Sequence, residues 1–179
     1  MFCLAASVRM RLRTIFRATL WRPAVILSKP CQYAIRAMTY LAEQGAGDLR
    51  SIREISERAD VPLPFLAKII NTLSHHGLVT ARRGPKGGVT LSRSPDEVTV
   101  GDIVEAIDGP AGDGTCILGF PECSDVTPCP VHDRWKHVRG EIDRTLHGRT
   151  LTDLAHARAR EKEKRKRKPK TRKKRRARA

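Results

Sequence analysis

The chain has 179 residues, with 35 Lys and Arg against 19 Asp and Glu and a formal net charge of +16. That length holds one ordinary domain with room for tails, no run approaches the roughly 18 apolar residues of a membrane span, and an odd count of five cysteines does not make a paired disulfide framework. The charge sits at the ends: residues 1–24 hold 5 basic and 0 acidic side chains, residues 25–157 hold 15 and 17, and residues 158–179 hold 15 and 2. The middle is about neutral, so its partners must be argued from motifs rather than from overall charge.

Residues 1–25 mix arginine with Phe2, Leu4, Leu12, Ile15, Phe16 and Leu20. Arginine interrupts the apolar residues too often for a secretory core, and the segment reads as a disordered basic extension. A transit peptide, an amphipathic surface segment, or a true start at Met10 or Val25 are the other readings. Ser28-Lys29-Pro30 is a helix start, and Ala34, Ala37, Met38, Leu41 and Ala42 recur at helical spacing up to Gly45 and Gly47. Ser51-Ile-Arg-Glu54 reads as a capping box opening a short helix with Ile52, Ile55 and Ala59 inward. Asp60-Val61-Pro62 then connects tightly to a third helix through His76, stopped by Gly77. Its expected inward stripe is Phe65, Leu66, Ile69, Ile70 and Leu73, with Ala67, Lys68, Asn71, Thr72 and His75 facing away.

Two short helices joined by a tight turn are the helix-turn-helix arrangement. Leu78–Arg83 follows as a strand, Gly84-Pro85-Lys86-Gly87-Gly88 as a turn and Val89–Ser92 as a second strand. The fold class is therefore mainly α with a small β-hairpin wing: a winged helix-turn-helix domain over 26–110. Arg82, Arg83 and Lys86 are placed for phosphate or minor-groove contact. Pro64, Lys68, Asn71, Thr72 and His75 are the DNA-facing candidates of the third helix, Lys68 suiting guanine and Asn71 adenine. Thr99-Val-Gly-Asp102 caps a last helix with Ile103, Val104 and Ile107, ending at Gly109-Pro110.

Within the loop 111–132, Cys116, Cys123, Cys129 and His132 fall in seventeen residues, with six, five and two positions between them. Glycine and proline mark the stretch as a loop able to wrap several side chains around one centre. Thiolates suit zinc, copper(I) or an iron–sulfur cluster, and imidazole completes a set of four. Cys3 and Cys31 stand apart. Val131, Trp135, Val138, Ile142 and Leu146 then repeat at helical spacing, and the segment 133–155 is expected to be a long dimerisation helix and its end. Residues 156–179 are expected to be a disordered Lys/Arg-rich tail that binds polyanions without reading sequence.

Taken together, residues 26–155 resemble the Rrf2 family of bacterial winged-helix transcription regulators. The matching pieces are Leu27-Ser-Lys with Tyr33-Ala-Ile-Arg-Ala-Met-Thr-Tyr-Leu-Ala42, Ile55-Ser-Glu-Arg58, Leu73 to Val79, Arg83-Gly-Pro-Lys-Gly-Gly88, Ile107-Asp-Gly109 and the cysteine loop. The resemblance implies a homodimeric repressor on a double-stranded DNA operator, with recognition helices in successive major grooves and wings at the minor groove. It implies that Cys116, Cys123 and Cys129 bind an iron–sulfur cluster whose state adjusts operator affinity, in answer to an iron–sulfur, redox or nitric-oxide signal. His132 stands where some members place a histidine ligand to a 2Fe–2S centre, while others hold a 4Fe–4S centre with a different fourth ligand. Pro62, Pro64 and Ala67-Lys68, where relatives carry polar and acidic base readers, imply a different operator sequence. The competing reading is a constitutive architectural DNA binder with a structural zinc in the same four ligands. Neither reading calls for an enzyme, a small-molecule substrate or a membrane, and both place the protein in the bacterial cytoplasm, on the nucleoid.

Overall fold

The computed structural model describes residues 27–45, 47–84, 87–110, 118, 120 and 124–167. The expectations for residues 1–26, for Lys86, Cys116 and Cys123, and for residues 168–179 lie outside the described residues.

Helix α1 spans Lys29–Gln44, and Ser28 caps it by accepting the Cys31 amide at 3.1 Å. Its apolar residues make one stripe: Ala34, Ala37, Met38 and Leu41 are buried and form the centre of the core. Helix α2 (Ile52–Ala59) and helix α3 (Leu63–His75) pack against it, contributing Ile55, Leu66, Ile70 and Leu73. Burying each such aliphatic side chain stabilises the fold by roughly 1.5–3 kcal/mol before the entropic cost of ordering it.

The turn between α2 and α3 depends on Asp60, which caps α2 in the left-handed region at φ 52°. Aspartate tolerates that conformation better than a branched residue would. Arg36 of α1 secures the turn: its Nε donates to the Ala59 carbonyl at 2.8 Å, and its guanidinium also reaches the Asp60 carbonyl and, at 2.6 Å, the Asp60 carboxylate. One arginine thus fixes the angle between the two helices.

Two expectations need correction here. Phe65 is not inward: it is 57% exposed and leans on the half-buried Tyr33, ring centroids 6.3 Å apart. Leu66, Ile69, Ile70 and Leu73 already fill the α3 stripe at helical spacing, which leaves Phe65 at its edge in the first turn. The capping box of α2 is only half formed. Ser51 accepts the Glu54 amide at 3.1 Å, but the Glu54 carboxylate turns to the Tyr40 hydroxyl at 2.7 Å and to Arg50 at 3.3 Å. Tyr40 is buried, so its hydroxyl needs that acceptor.

Strands β1 (Val79–Arg82) and β2 (Gly88–Leu91) pair antiparallel, Val79 opposite Leu91 and Arg82 opposite Gly88. Arg50 adds a third rung, exchanging backbone hydrogen bonds with Val89 at 2.8 and 3.0 Å. The backbone of Arg50 comes so close that a Cβ at Gly88 would lie 2.9 Å from its carbonyl oxygen. The wing is therefore anchored to Arg50, two residues before the start of α2.

Helix α4 (Val100–Asp108) starts with a complete capping box between Thr99 and Asp102. At its far end the Asp108 carboxylate accepts the Ser28 amide at 2.9 Å and its hydroxyl, tying α4 to the start of α1. Helix α5 (His132–His147) packs on α4, and helix α6 (Leu151–Arg167) returns along α1. The α5–α6 turn is pinned by Val100 N–H to the Arg149 carbonyl at 2.8 Å and Leu151 N–H to the Val98 carbonyl at 2.9 Å.

Helix α6 corrects the expected tail. The expected dimerisation segment over 133–155 is broken at Gly148, and residues 156–167, expected to be disordered, are helical. Thr150 and Asp153 exchange backbone-to-side-chain bonds at 3.3 Å, a capping arrangement that restarts the helix. Leu151 is fully buried in the core. Glu43 of α1 takes Lys162 at 2.7 Å and Arg158 at 3.5 Å, while Glu161–Arg165 and Glu163–Arg167 pair along the helix. These acids offset the self-repulsion that a pure basic block would suffer.

Candidate functional site

The outward face of α3 and the wing form one continuous surface. Lys68, Asn71 and His75 are exposed on α3, with Thr72 half-buried, its hydroxyl bonded to the Lys68 carbonyl at 3.3 Å. Pro64 is exposed in the first turn beside Leu63 and Phe65, which adds an apolar edge to an otherwise polar face. Across a cleft of about 520 Å³ lined by Asn71, Ser74, Arg82 and Arg83, the wing presents both arginines to solvent. Neither arginine has an acidic partner among the described residues, so both guanidinium groups remain available for phosphate.

The cysteine loop enters α5 through one turn. His132 N–H donates to the Cys129 carbonyl at 2.9 Å, so the thiol and the imidazole share that turn. Cys129 is a half-buried free thiol, whereas His132 is only 5% exposed and is the one buried residue of α5. The ring is oriented by Asp125, whose carboxylate lies 2.8 Å from Nε2 and also takes Lys136 at 2.8 and 2.9 Å. The Lys136 ammonium first, and His132 second, hold the Asp125 carboxyl below its ordinary value. An ionised carboxylate accepts only, so Nε2 carries the proton toward Asp125. A carboxylate behind a ligating histidine is the usual outer support of a metal centre. The described half of the four-residue set thus fits a thiolate–imidazole centre.

Cys31 belongs elsewhere. It is fully buried with Val100 and Val104, and burial, reinforced by Asp108, pushes its thiol up to about 12. It remains a neutral thiol packed like a small apolar residue.

Along α5 the expected apolar face is partly uncovered. Val131 and Val138 are 38% and 46% exposed, and Trp135 and Ile142 are half-buried. Leu146 packs on the Cys31 cluster of its own domain. Between them lies an apolar groove of about 370 Å³ lined by Leu27, Val138, Ile142 and Leu146. The indole N–H of Trp135 is buried and has no acceptor among the described residues.

Three features carry no clear sequence signal: the Arg36 clamp on the α2–α3 turn, Asp125 behind His132, and Glu43 under α6. An aspartate seven residues before a histidine reads as an ordinary loop residue. The restart of α6 did have one, in Thr150-Leu-Thr-Asp153, a capping pattern directly after Gly148.

Comparison with known proteins agrees with this arrangement. The Rrf2 profile, described as an iron-dependent transcriptional regulator, matches residues 27–157. A protein of Aquifex aeolicus described as an HTH-type transcriptional regulator is 35% identical over 132 residues, covering 73% of this chain and 91% of its own. The regulator IscR of Aliivibrio salmonicida is 33% identical over 128 residues, covering 72% and 76%. Among solved structures, CymR, the global cysteine regulator of B. subtilis, superposes with a TM-score of 0.62 at 26% identity, over 73% of this chain and 96% of that one. IscR of T. potens superposes at 0.59 with 28% identity, over 75% and 88%. These relatives are regulators, which leaves the alternative of a constitutive architectural zinc protein without support. No described helix is long and apolar enough to cross a membrane. With its winged-helix fold and a profile match over most of its length, the chain belongs to the Rrf2 family of helix-turn-helix transcriptional regulators.

Proposed function

We propose that the protein is a homodimeric repressor that reads a DNA operator and changes its affinity for it with the state of an iron–sulfur cluster held by Cys116, Cys123, Cys129 and His132. A 2Fe–2S centre suits the histidine in the set. The observation that carries this reading is the shared turn of Cys129 and His132 at the start of α5, backed by Asp125. The same helix bears the uncovered groove of Val138 and Ile142, and the unpaired Trp135 indole, which a second copy would cover.

In this reading each side chain has a task. Lys68 and Asn71 meet base edges in the major groove, with Pro64, Thr72 and His75 flanking them, and Arg82, Arg83 and Lys86 hold phosphates or the minor groove. Val131, Trp135, Val138, Ile142 and Leu146 form the seam between the two copies. Cys116, Cys123 and Cys129 supply thiolates, and His132 an imidazole whose Nε2 Asp125 holds. A bound cluster would supply a group sensitive to iron supply, oxidants and nitric oxide. Ordering the loop fixes the first turn of α5, and α5 sets how the two reading domains are spaced. A ligand at the loop shifts DNA affinity only by binding one spacing better than the other.

The test is anaerobic purification, with iron and sulfide analysis and visible spectra, followed by operator binding before and after removal of iron by a chelator. Stoichiometric iron and sulfide and a changed operator affinity are expected. A colourless protein without sulfide, or identical affinity in both states, would reject the reading.

A further inference from the structure

The first turn of α3 is apolar and has little to donate. Pro62 caps the helix without a side-chain hydrogen bond, and Pro64 carries no N–H. The Phe65 and Leu66 amides both turn back to the Pro62 carbonyl at 3.1 Å. That leaves the Leu63 amide, where a helix start usually offers four free donors and so makes a ready phosphate site. What this turn presents to solvent is carbon. Leu63 is 43% and Phe65 57% exposed, and Pro62 and Pro64 are exposed beside them.

The aromatic ring is braced rather than covered. Tyr33 of α1 stands against Phe65, centroids 6.3 Å apart and planes tilted by 49°, and the Arg36 guanidinium lies 5.7 Å from the Tyr33 centroid. Both spacings are attractive, so Phe65 is held at the surface and loses little further freedom on meeting a ligand. Helical spacing continues the tip into the outward face of α3: Pro64 lines up with Lys68 and Asn71, and Phe65 with Lys68 and Thr72. Residues 61–83 contain Lys68, Arg82 and Arg83 and no acid. The Asp60 carboxylate just before them is held by Arg36 at 2.6 Å. An apolar tip on a basic, acid-free face suits a polyanion that exposes methyl groups. In the major groove of DNA that group is the C5-methyl of thymine, and helix-turn-helix proteins set the N-terminal residues of the second helix against base edges.

We propose that Phe65 and Leu63 are specificity-determining residues that read thymine methyl groups in the major groove, beside the base pairs addressed by Lys68 and Asn71. This role rests on α3 being the reading helix and asks nothing of the cysteine loop. Leu63 and Phe65 are two residues apart, so they project to opposite flanks of α3 and meet different thymines.

The experiment removes the methyl and nothing else. The full chain first selects an operator from random DNA duplexes, and each thymine in it is then replaced singly by uracil, which keeps every hydrogen-bonding group. Affinity is expected to fall about fourfold at one or more thymines, the contribution of one methyl group withdrawn from water. Phe65→Ala and Leu63→Ala should each bind the thymine and uracil forms alike at the position that side chain covers. Both side chains are exposed, so both variants keep the fold. Asn71→Ala should relax base preference yet leave the thymine–uracil difference in place. If Asn71→Ala and Phe65→Ala both leave base preference untouched, α3 is not the reading helix and the methyl contact falls with it. If Asn71→Ala relaxes base preference but the parent binds all thymine and uracil forms equally, the methyl contact alone is overturned, and the tip is left to a protein partner. An undiminished thymine–uracil difference in both Phe65→Ala and Leu63→Ala would overturn it as well.

Discussion

Asp125 accepts a hydrogen bond from Nε2 of His132 at 2.8 Å, across the boundary between the cysteine loop and α5. That bond fixes the orientation of the imidazole at the start of α5. Asp125→Asn keeps the shape but weakens the acceptor and frees Lys136. The expected result is a normal fold with iron retained about tenfold less well during chelation. Equal retention in variant and parent would remove Asp125 from the support of the site.

Cys31 and the loop cysteines should separate under alkylation. Burial holds the Cys31 thiol near 12, against about 8.5 for a free cysteine, so it stays protonated and shielded at pH 8. N-ethylmaleimide is expected to label Cys129 in iron-free native protein and to reach Cys31 only after unfolding, as peptide mass mapping would show. The sign of the linkage follows. The folded state keeps a proton that the unfolded state loses, so stability falls as pH rises from about 8.5 toward 12. Rapid native labelling of Cys31 would contradict its placement.

The winged-helix fold was legible because its signals are local and periodic. The stripe of Ala34, Ala37, Met38 and Leu41, the Thr99–Asp102 cap and the glycine-rich hairpin all report on residues near them in sequence. Phe65 was misread because periodicity cannot tell the edge of a stripe from its centre. Glu54 was misread because its competitors, Tyr40 and Arg50, lie outside the capping pattern. Residues 156–167 of the tail were misread because charge density hides an anchor such as Glu43, more than a hundred residues away. In the candidate site, residue types and spacing pointed to the cysteines and histidine, of which Cys129 and His132 share one turn at the start of α5. The support from Asp125 depends on how the loop folds back on α5, which spacing does not encode.

Helix α6 carries a prediction of its own. Deleting residues 158–179 should lower non-specific DNA affinity and flatten its salt dependence, each lost phosphate contact reducing the slope by about 0.9. Preference for the operator over random DNA should persist. Glu43→Gln, which releases Lys162 and Arg158 without removing a basic charge, should fray the end of α6 in circular dichroism and leave the salt slope nearly unchanged. Loss of operator preference on truncation would move the reading surface away from α3.

The two halves of the DNA surface should fail differently. Arg83→Ala is expected to weaken binding about equally across sequences, as a phosphate contact does. Asn71→Ala is expected to relax discrimination at one base position by roughly 1–3 kcal/mol. Competition binding with operator variants separates these outcomes, and an Asn71→Ala protein with unchanged base preference would take Asn71 out of the base-reading set.

Sensing through the loop is tested most directly by operator affinity and iron content measured together in the anaerobic parent and in Cys123→Ser. Serine is a poor thiolate substitute, so the variant is expected to lose its iron, sulfide and visible absorption while keeping its fold. Its operator affinity should then differ from the parent's by at least about fivefold, the lower range of an allosteric coupling. Full iron and sulfide in Cys123→Ser, or an iron-free variant that binds the operator with the parent's affinity, would contradict the account.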